Sequence, residues 1–384
     1  LGLMAGLTVC NYLFGLLLRR KQRKAVLVLG VGLNVAFLCF FKYLTFFLTQ
    51  VLGLQAAELS IAAPLGISFF TFKSISYLAD TYRKPENGTR SLSALLLYVS
   101  FFPQIVTGPI TRFADFAPQL ENRSHDPKST AAGLRRFIVG LAKKLILSGT
   151  LGTMVDGIFA LPESTLNAPL AWLGAVGYCL QLFFDFSGSI DMAIGLGWIF
   201  GFSSAENFNR PYLARTIGSF WRRWHMSLSF WFKDYVYIPL GGNRKGIKRQ
   251  ILNMLIVWFL TGFWHGADWN FMLWGLYYFV LLAVEKMFLL DWLKKHPIPA
   301  RVYTLLTIAV GWAIFYITDL GMLGGFIANA FGTGDGFGIP CRNSHGQAVG
   351  GKFRQNGKPC FGTDARYGDK QFKKVQFRFF EKAV

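Results

Sequence analysis

Charge is what this sequence has least of. Only 16% of its 384 residues are Asp, Glu, Lys or Arg, against about 25% in soluble globular domains. That scarcity excludes the two or three water-soluble domains that length alone would suggest. Acid is the scarcer sign: 20 Asp+Glu stand against 40 Lys+Arg, a formal net charge of +20. Cysteine is rare too. Cys10, Cys39, Cys179, Cys341 and Cys360 have no spacing that suits a zinc site or a disulfide framework. The first three sit in apolar segments, where they are expected as small packing residues. No internal repeat recurs, so the two related halves of many secondary transporters are missing. No charged leader precedes the apolar run that opens at Leu1, which reads as a truncated start and not as a signal peptide.

What is present is apolar length. The chain is 53% hydrophobic and 17% aromatic, with a mean hydropathy of +0.36. Long apolar stretches predict an all-α fold, a polytopic bundle of transmembrane helices. The basic excess lies in short clusters between those stretches, the pattern of cytoplasmic loops beside anionic lipid. Membrane lipid is therefore the partner that the charge implies, and nucleic acid is not.

The path can be followed by charge. Residues 1–18 end at Arg19-Arg20-Lys21-Gln22-Arg23-Lys24, five basic residues in six, which marks a cytoplasmic loop. Residues 25–49 span outward. The loop 50–63 carries Glu58 and no base, so it lies outside, and 64–79 return to Arg83 and Lys84. Residues 91–106 are interrupted by Pro103, Gly108 and Pro109 and are short for a crossing of roughly 20 residues. Parity with an outward span at 132–158 and an outside loop at 159–169 makes 91–110 a dip into the membrane, with 107–131 inside. Residues 170–202 cross inward. The stretch 203–249 mixes Trp, Arg, His, Asp and Asn among aromatics and ends in a basic run, which predicts re-entrant or interfacial helices. Then 250–264 head outward, 269–285 return, and 302–320 cross again. Residues 338–384 hold ten Lys+Arg, three acids and many Gly, with no spanning run. They are either a native solvated tail or a non-native, frameshifted end.

Five histidines could carry chemistry. His125, His296 and His345 lie in polar stretches and read as surface residues. His225 sits in S-F-W-R-R-W-H-M-S-L-S and His265 in T-G-F-W-H-G-A. An apolar run of about 14 residues precedes His265, which at about 1.5 Å per residue carries it roughly 21 Å into the bilayer. An ionisable group at that depth is a functional candidate by default; the structural alternative is a neutral histidine hydrogen-bonded inside a bundle. A neutral imidazole can take a proton from a hydroxyl as it attacks an acyl carbonyl. A thioester donor is already activated, so no serine nucleophile is needed. Gly266 and Ala267 leave room for close approach. Haem ligation by both histidines is a rival with no further pocket signal behind it. Zinc has no His or Cys partner at ligand spacing, and no metal is expected. Asp185 and Asp191, six apart, read either as buried charges that pair with Arg222, Arg223 or Lys233 or as catalytic carboxylates. Glu206, Asn207 and Asn209 precede Pro211-Tyr212 and read as a capped turn.

Several of these motifs form a familiar set. It comprises F-P-Q at 102–104 with Gly108-Pro109, D-F-S-G-S-I-D-M-A-I-G-L-G from Asp185, and E-N-F-N-R-P-Y from Glu206. F-W-R-R-W-H-M-S-L-S from Phe220, Y-I-P-L-G-G-N-R from Tyr237 and W-H-G-A from Trp264 complete it. In this order, over roughly 1–335, the set resembles the membrane-bound O-acyltransferase superfamily, in its alginate O-acetyltransferase-like branch, with the D-alanyl transferases of teichoic acid modification as cousins. The resemblance implies a ring of tilted helices around a central tunnel, with His265 as the catalytic histidine and His225 as a second functional one. It implies a multi-pass protein of the bacterial cytoplasmic (inner) membrane with no bound cofactor. An acetyl group would pass from a cytoplasmic donor, acetyl-CoA or an acyl carrier protein thioester, to the outer side. There an SGNH-type, esterase-like partner would complete transfer to a polysaccharide. Arg222, Arg223 and Lys233 would either meet donor phosphates or snorkel to the cytoplasmic interface, and Trp224, Asp185, Asp191, Asn243 and Trp264 complete the expected donor- or substrate-contacting set. The family normally carries more membrane sequence before Leu1 and after 335, so the domain at 1–335 is expected to be incomplete at both ends, followed by a basic tail over 336–384. Two readings of another class stand beside this one: a proton-coupled transporter using His and Asp as a relay, and a non-catalytic scaffold of a polysaccharide-export machine.

Overall fold

Apolar run length and its interruptions decide the architecture. The computed structural model describes residues 1–54, 62–123, 126–162, 165–334, 341–342 and 348–349. Helices α1 (Gly2–Arg20) and α2 (Lys24–Phe46) flank the basic cluster, and α2 runs on through a π turn at Phe47–Val51. Helix α3 (Ile67–Arg83) begins after Gly66, whose φ of 73° only glycine adopts freely and whose Cα faces the Ile105 carbonyl too closely for a Cβ. Helix α4 (Leu92–Ser100) starts at Ser91, whose hydroxyl accepts the Ala94 N–H at 3.2 Å. Its nine residues reach only about 13 Å, well short of a bilayer. A 3₁₀ turn at Phe102–Gln104 and helix α5 (Phe113–Glu121) follow.

Helix α6 (Pro127–Ala142) has Asp126 as its N-cap and proline at its first position, the favoured start. It continues through a π stretch, Lys143–Ser148, into α7 (Gly149–Phe159). Helix α8 (Ala168–Ile199) is 32 residues long and capped by Asn167. Only short pieces come next: α9 (Ile217–Trp221), α10 (Met226–Phe232) and a π turn at Lys233–Tyr237. Helix α11 (Gly246–His265) leads to α12 (Trp269–Val284), a π turn at Glu285–Leu289, α13 (Leu290–Lys295), α14 (Pro297–Tyr316) and α15 (Leu320–Ala330). Beyond 334 the described residues are one two-residue antiparallel pair, Cys341–Arg342 with Ala348–Val349. Most of the basic tail, with His345 and Cys360, lies outside the described residues, as do Glu58, His125 and Glu163.

Among the described residues, six helical stretches are long and apolar enough to cross a membrane: Gly2–Arg20, Lys24–Val51, Pro127–Phe159, Ala168–Ile199, Trp269–Lys295 and Pro297–Tyr316. The expected crossings 64–79 and 250–264, which fall on α3 and α11, are not among these six, and α3 is an interior helix. Fourteen of the 17 residues of α3 are buried, including Lys73, Ser74, Ser76 and Asp80, so it is enclosed by protein on all sides. The expected span 302–320 is displaced to Pro297–Tyr316, because Pro297 suits a first helical turn and Asp319 caps a separate helix by accepting the Met322 N–H at 2.9 Å. The cysteines also differ from expectation: Cys179 is buried, but Cys10 and Cys39 are exposed.

Side chains gather in three cores. The first packs α7, α8, α9, α12, α14 and α15 around Trp274 and Trp312. The second packs α1 to α5 around Tyr77 and Tyr98. The third takes Phe69 and Phe72 from α3, Leu228, Trp231 and Phe232 from α10, and Trp264 from α11, and so links the two halves.

Helices α6 and α8 lie against each other at backbone distance. Gly133 and Gly140 on α6 meet Gly195 and Gly188 on α8. A Cβ on Gly188 would stand 2.6 Å from the Gly140 carbonyl oxygen, and one on Gly133 2.6 Å from that of Gly195. Small residues let membrane helices approach in this way. The closeness also settles the aspartates. Asp191 accepts from Arg136 at 2.9 Å and from Lys143 at 2.6 Å, and Asp185 pairs with Lys144. Arg136 also holds Glu206 at 2.6 Å. The expected pairing with Arg222, Arg223 or Lys233 is thus replaced, because both carboxylates face Arg136 of α6 and the two lysines, Lys143 and Lys144, that open its continuation. Overpacking such a contact costs about 1–3 kcal/mol. Gly188→Val is expected to lower the melting temperature of the detergent-extracted protein and its accumulation in membranes, while Gly157→Val, with nothing within 4 Å of the added Cβ, is expected to leave both unchanged.

Candidate active site

The site forms where the short helices meet α11. Residues Met254, Val257, Trp258, Thr261 and His265 recur at three- and four-residue spacing, so they share one face of α11. That face lines a cavity of about 270 Å³ whose other walls include Phe186 of α8, Trp221 of α9, His225, Lys233, and Trp312 and Phe315 of α14. From Met254 to His265 the lining runs for about 16 Å along the helix. One end carries Arg222, Lys233 and Tyr237; the other carries His265.

His265 is the last residue of α11. Its ring is held edge-to-face by Trp274 and Phe315, each with centroids 5.1 Å away, a favourable geometry for the aromatic quadrupole. No hydrogen bond to its ring nitrogens is found among the described residues, so they remain available to a molecule in the cavity. The approach of α11 to α12 is set by Gly262 and Gly275, where a Cβ on either would stand 3.2–3.3 Å from the other's backbone.

His225 is held differently. It has φ 44° and ψ 55°, a left-handed conformation that is uncommon outside glycine and costs of order 1–3 kcal/mol. The Asn207 amide supports it, with Nδ2 3.2 Å and Oδ1 3.4 Å from His225 Nδ1. Asn207 Oδ1 also accepts the Ser227 N–H at 2.9 Å, and its backbone carbonyl accepts the Met226 N–H at 3.0 Å. Asn207 is therefore not part of a capped turn before Pro211; fully buried, it organises the start of α10. The amide engages Nδ1 and leaves Nε2 without a partner among the described residues. The N-terminus of α9 is fixed by buried Glu285, which accepts the Ile217 N–H at 2.6 Å and the Gly218 N–H at 3.1 Å.

Of the residues expected at the site, His225, His265, Arg222, Trp224 and Lys233 line this cavity. The others do not. Asp185 and Asp191 are engaged by α6 and its continuation, as described. Asn243 is exposed in the turn before α11. The Arg223 guanidinium lies toward the Asn209 carbonyl at 3.5 Å. Trp264 faces away, stacked on Phe72 with centroids 5.4 Å apart. The sequence reading passed over Asn207, Trp258, Trp312 and Phe315: aromatics at helical spacing look like ordinary core, and nothing local in E-N-F-N points 18 residues onward. Among the described residues no three His, Cys, Asp or Glu side chains cluster as a metal would need.

A helical membrane protein with two histidines on one aromatic cavity is the architecture these facts define. Residues 28–324 match the model of the membrane-bound O-acyltransferase family, and the chain belongs to that family. It is a multi-pass membrane protein and an acyltransferase, so an acyl donor is its substrate. It is similar to the probable alginate O-acetylase of Pseudomonas putida, 40% identical over 348 residues, which cover 87% of this chain and 71% of that protein. It is similar also to the peptidoglycan O-acetyltransferase of Helicobacter pylori, 37% identical over 83% of this chain and 68% of that protein. The teichoic acid D-alanyltransferase of Bacillus subtilis is 34% identical over 62% of this chain and 63% of its own length. Asn207→Ala removes one hydrogen bond from a buried imidazole and one from the partly buried Ser227 N–H, a loss of about 1–3 kcal/mol. A melting temperature lowered accordingly, with acyl transfer reduced at least tenfold at matched protein levels, is the expected outcome.

Proposed function

We propose that this protein moves an acetyl group from a cytoplasmic thioester to the outer side of a bacterial inner membrane for O-acetylation of a polysaccharide. One observation carries this reading: a single cavity joins a basic end, Arg222 and Lys233, to the free imidazole of His265. The arrangement suits a long donor whose charged head stays at the basic end while its acyl group reaches the histidine. Acetyl-CoA and a carrier-protein phosphopantetheine arm both have that form, and both offer phosphates to Arg and Lys. The short helices α4, α9 and α10 are then re-entrant pieces around a tunnel, of which the cavity is the donor-side half.

In the reaction, a hydroxyl enters beside His265. The imidazole takes the hydroxyl proton as its oxygen bonds to the acyl carbon. The C–S bond then breaks, and the departing thiolate takes the proton back from the imidazolium. Ester and thiol are the products, and His265 ends as it began. His225 Nε2 stands on the same cavity to hold donor or acceptor. The hydroxyl belongs to the polysaccharide, or to an SGNH-type partner that relays the acetyl group to it outside.

The acetyl reading is favoured over D-alanyl transfer by the higher identity and coverage of the two O-acetylating relatives. General base catalysis contributes about 10²–10⁴-fold. The O-acetyl content of cell-surface polysaccharide is therefore expected to fall at least a hundredfold in His265→Ala at matched membrane levels. Unchanged acetylation would remove His265 from the chemistry and favour a scaffold or a transporter. Loss of D-alanyl ester with acetyl ester retained would reassign the donor.

A further inference from the structure

We propose that Lys42 is a positioning residue for His265, acting as the charged cap of the helix that carries it. The proposal rests on the reading of His265 as the base.

A helix leaves its last four carbonyls without intrahelical donors. The common remedy is a left-handed residue just past the end, whose backbone N–H turns back to them. Helix α11 does not end that way: Gly266, the next residue, is extended at φ −173° and ψ 160°. The Lys42 ammonium takes up the task. It donates to the Trp264 carbonyl at 2.6 Å and to Ser68 Oγ at 3.2 Å. It also stands 5.6 Å from the Trp264 ring and 6.0 Å from that of Tyr43, within range of cation–π attraction. A cation at a helix C-terminus is favoured by the macrodipole as well.

Lys42 is otherwise hard to explain. It lies in the apolar helix α2, where an ionisable residue is costly, and no carboxylate pairs with it among the described residues. It does not line the cavity, so contact with substrate is not its role. What it grips is the peptide unit that joins Trp264 to His265. Trp264 is clamped on its other side by Phe72 and Phe69. The imidazole is thus placed by the indole and the ammonium behind it, and by Trp274 and Phe315 beside it.

The test compares Lys42→Met, Lys42→Arg and His265→Ala in the full chain, at matched membrane levels, reading polysaccharide O-acetyl content and the melting temperature of the extracted protein. A misplacement of about 1 Å can cost a hundredfold in rate. Lys42→Met is expected to lose about ten- to a hundredfold of acetylation, with a melting temperature within about 4 °C of the parent. Lys42→Arg, which keeps charge and donors, is expected to retain at least half. Parental acetylation in Lys42→Met overturns the proposal. So does a collapse of stability in the Met and Arg variants alike, because the lysine then holds the fold and not the base. Retained acetylation in His265→Ala overturns the reading of His265 instead.

Discussion

The constraint on which this structure depends is that a helix ending inside protein must have its terminal backbone groups satisfied there. Groups from neighbouring segments of the chain do it. Lys73 of α3, 1% exposed, donates to the Tyr98 carbonyl in the last turn of α4 at 3.0 Å. Glu285 accepts the first N–H groups of α9. Asn207 accepts the N–H groups that open α10. Lys42 serves the end of α11. Each sign is the one the helix dipole favours: acceptors stand at N-termini and ammonium groups at C-termini. The interrupted helices make the site possible, because only they bring His225 and His265 to one cavity, and the buried polar residues make the interruptions possible.

The same constraint explains what the sequence disclosed. Long apolar runs and basic clusters pointed to the six stretches named above, since length and composition decide whether a helix can cross, but also to crossings at 64–79 and 250–264 that are not among them. Pro103, Gly108 and Pro109 marked the piece at 91–106 as irregular, and α4 is indeed only nine residues long. His225 and His265 stood out because ionisable groups are rare in apolar surroundings. What stayed hidden is pairwise. That Asp191 meets Arg136 and Lys143, that Asn207 meets His225, or that Lys42 meets Trp264 at a separation of 222 residues depends on how helices lie against one another. Composition carries no trace of it. The lysines of α2 and α3 were passed over for a plain reason: single bases within apolar segments blend into the general basic excess.

Many side chains join α1–α5 to the rest of the molecule, among them Tyr43 stacked on Phe263 and Phe116 stacked on Phe202. The first and second cores are joined by the third, whose members Phe72, Trp231 and Trp264 stack closely, with Phe72 and Trp231 3.9 Å apart. Trp231 also donates its indole N–H to the Phe72 carbonyl at 3.1 Å. His225 and Trp264 approach at 6.4 Å between centroids, so the cavity and this seam share a wall. The site is thereby supported on both sides by aromatic packing, which suits the proposed reaction, in which donor and hydroxyl are brought together at one place.

At position 225 backbone and side chain ask for different residues. The left-handed backbone favours glycine, whereas the cavity and the Asn207 amide call for a ring nitrogen. No residue serves both fully. Substituting glycine there would relieve the backbone, but it would leave the Asn207 amide unpaired and a void in the cavity wall. The Asn207 amide and the start of α10 hold the histidine in this conformation, and what it brings there is a ring nitrogen on the cavity wall.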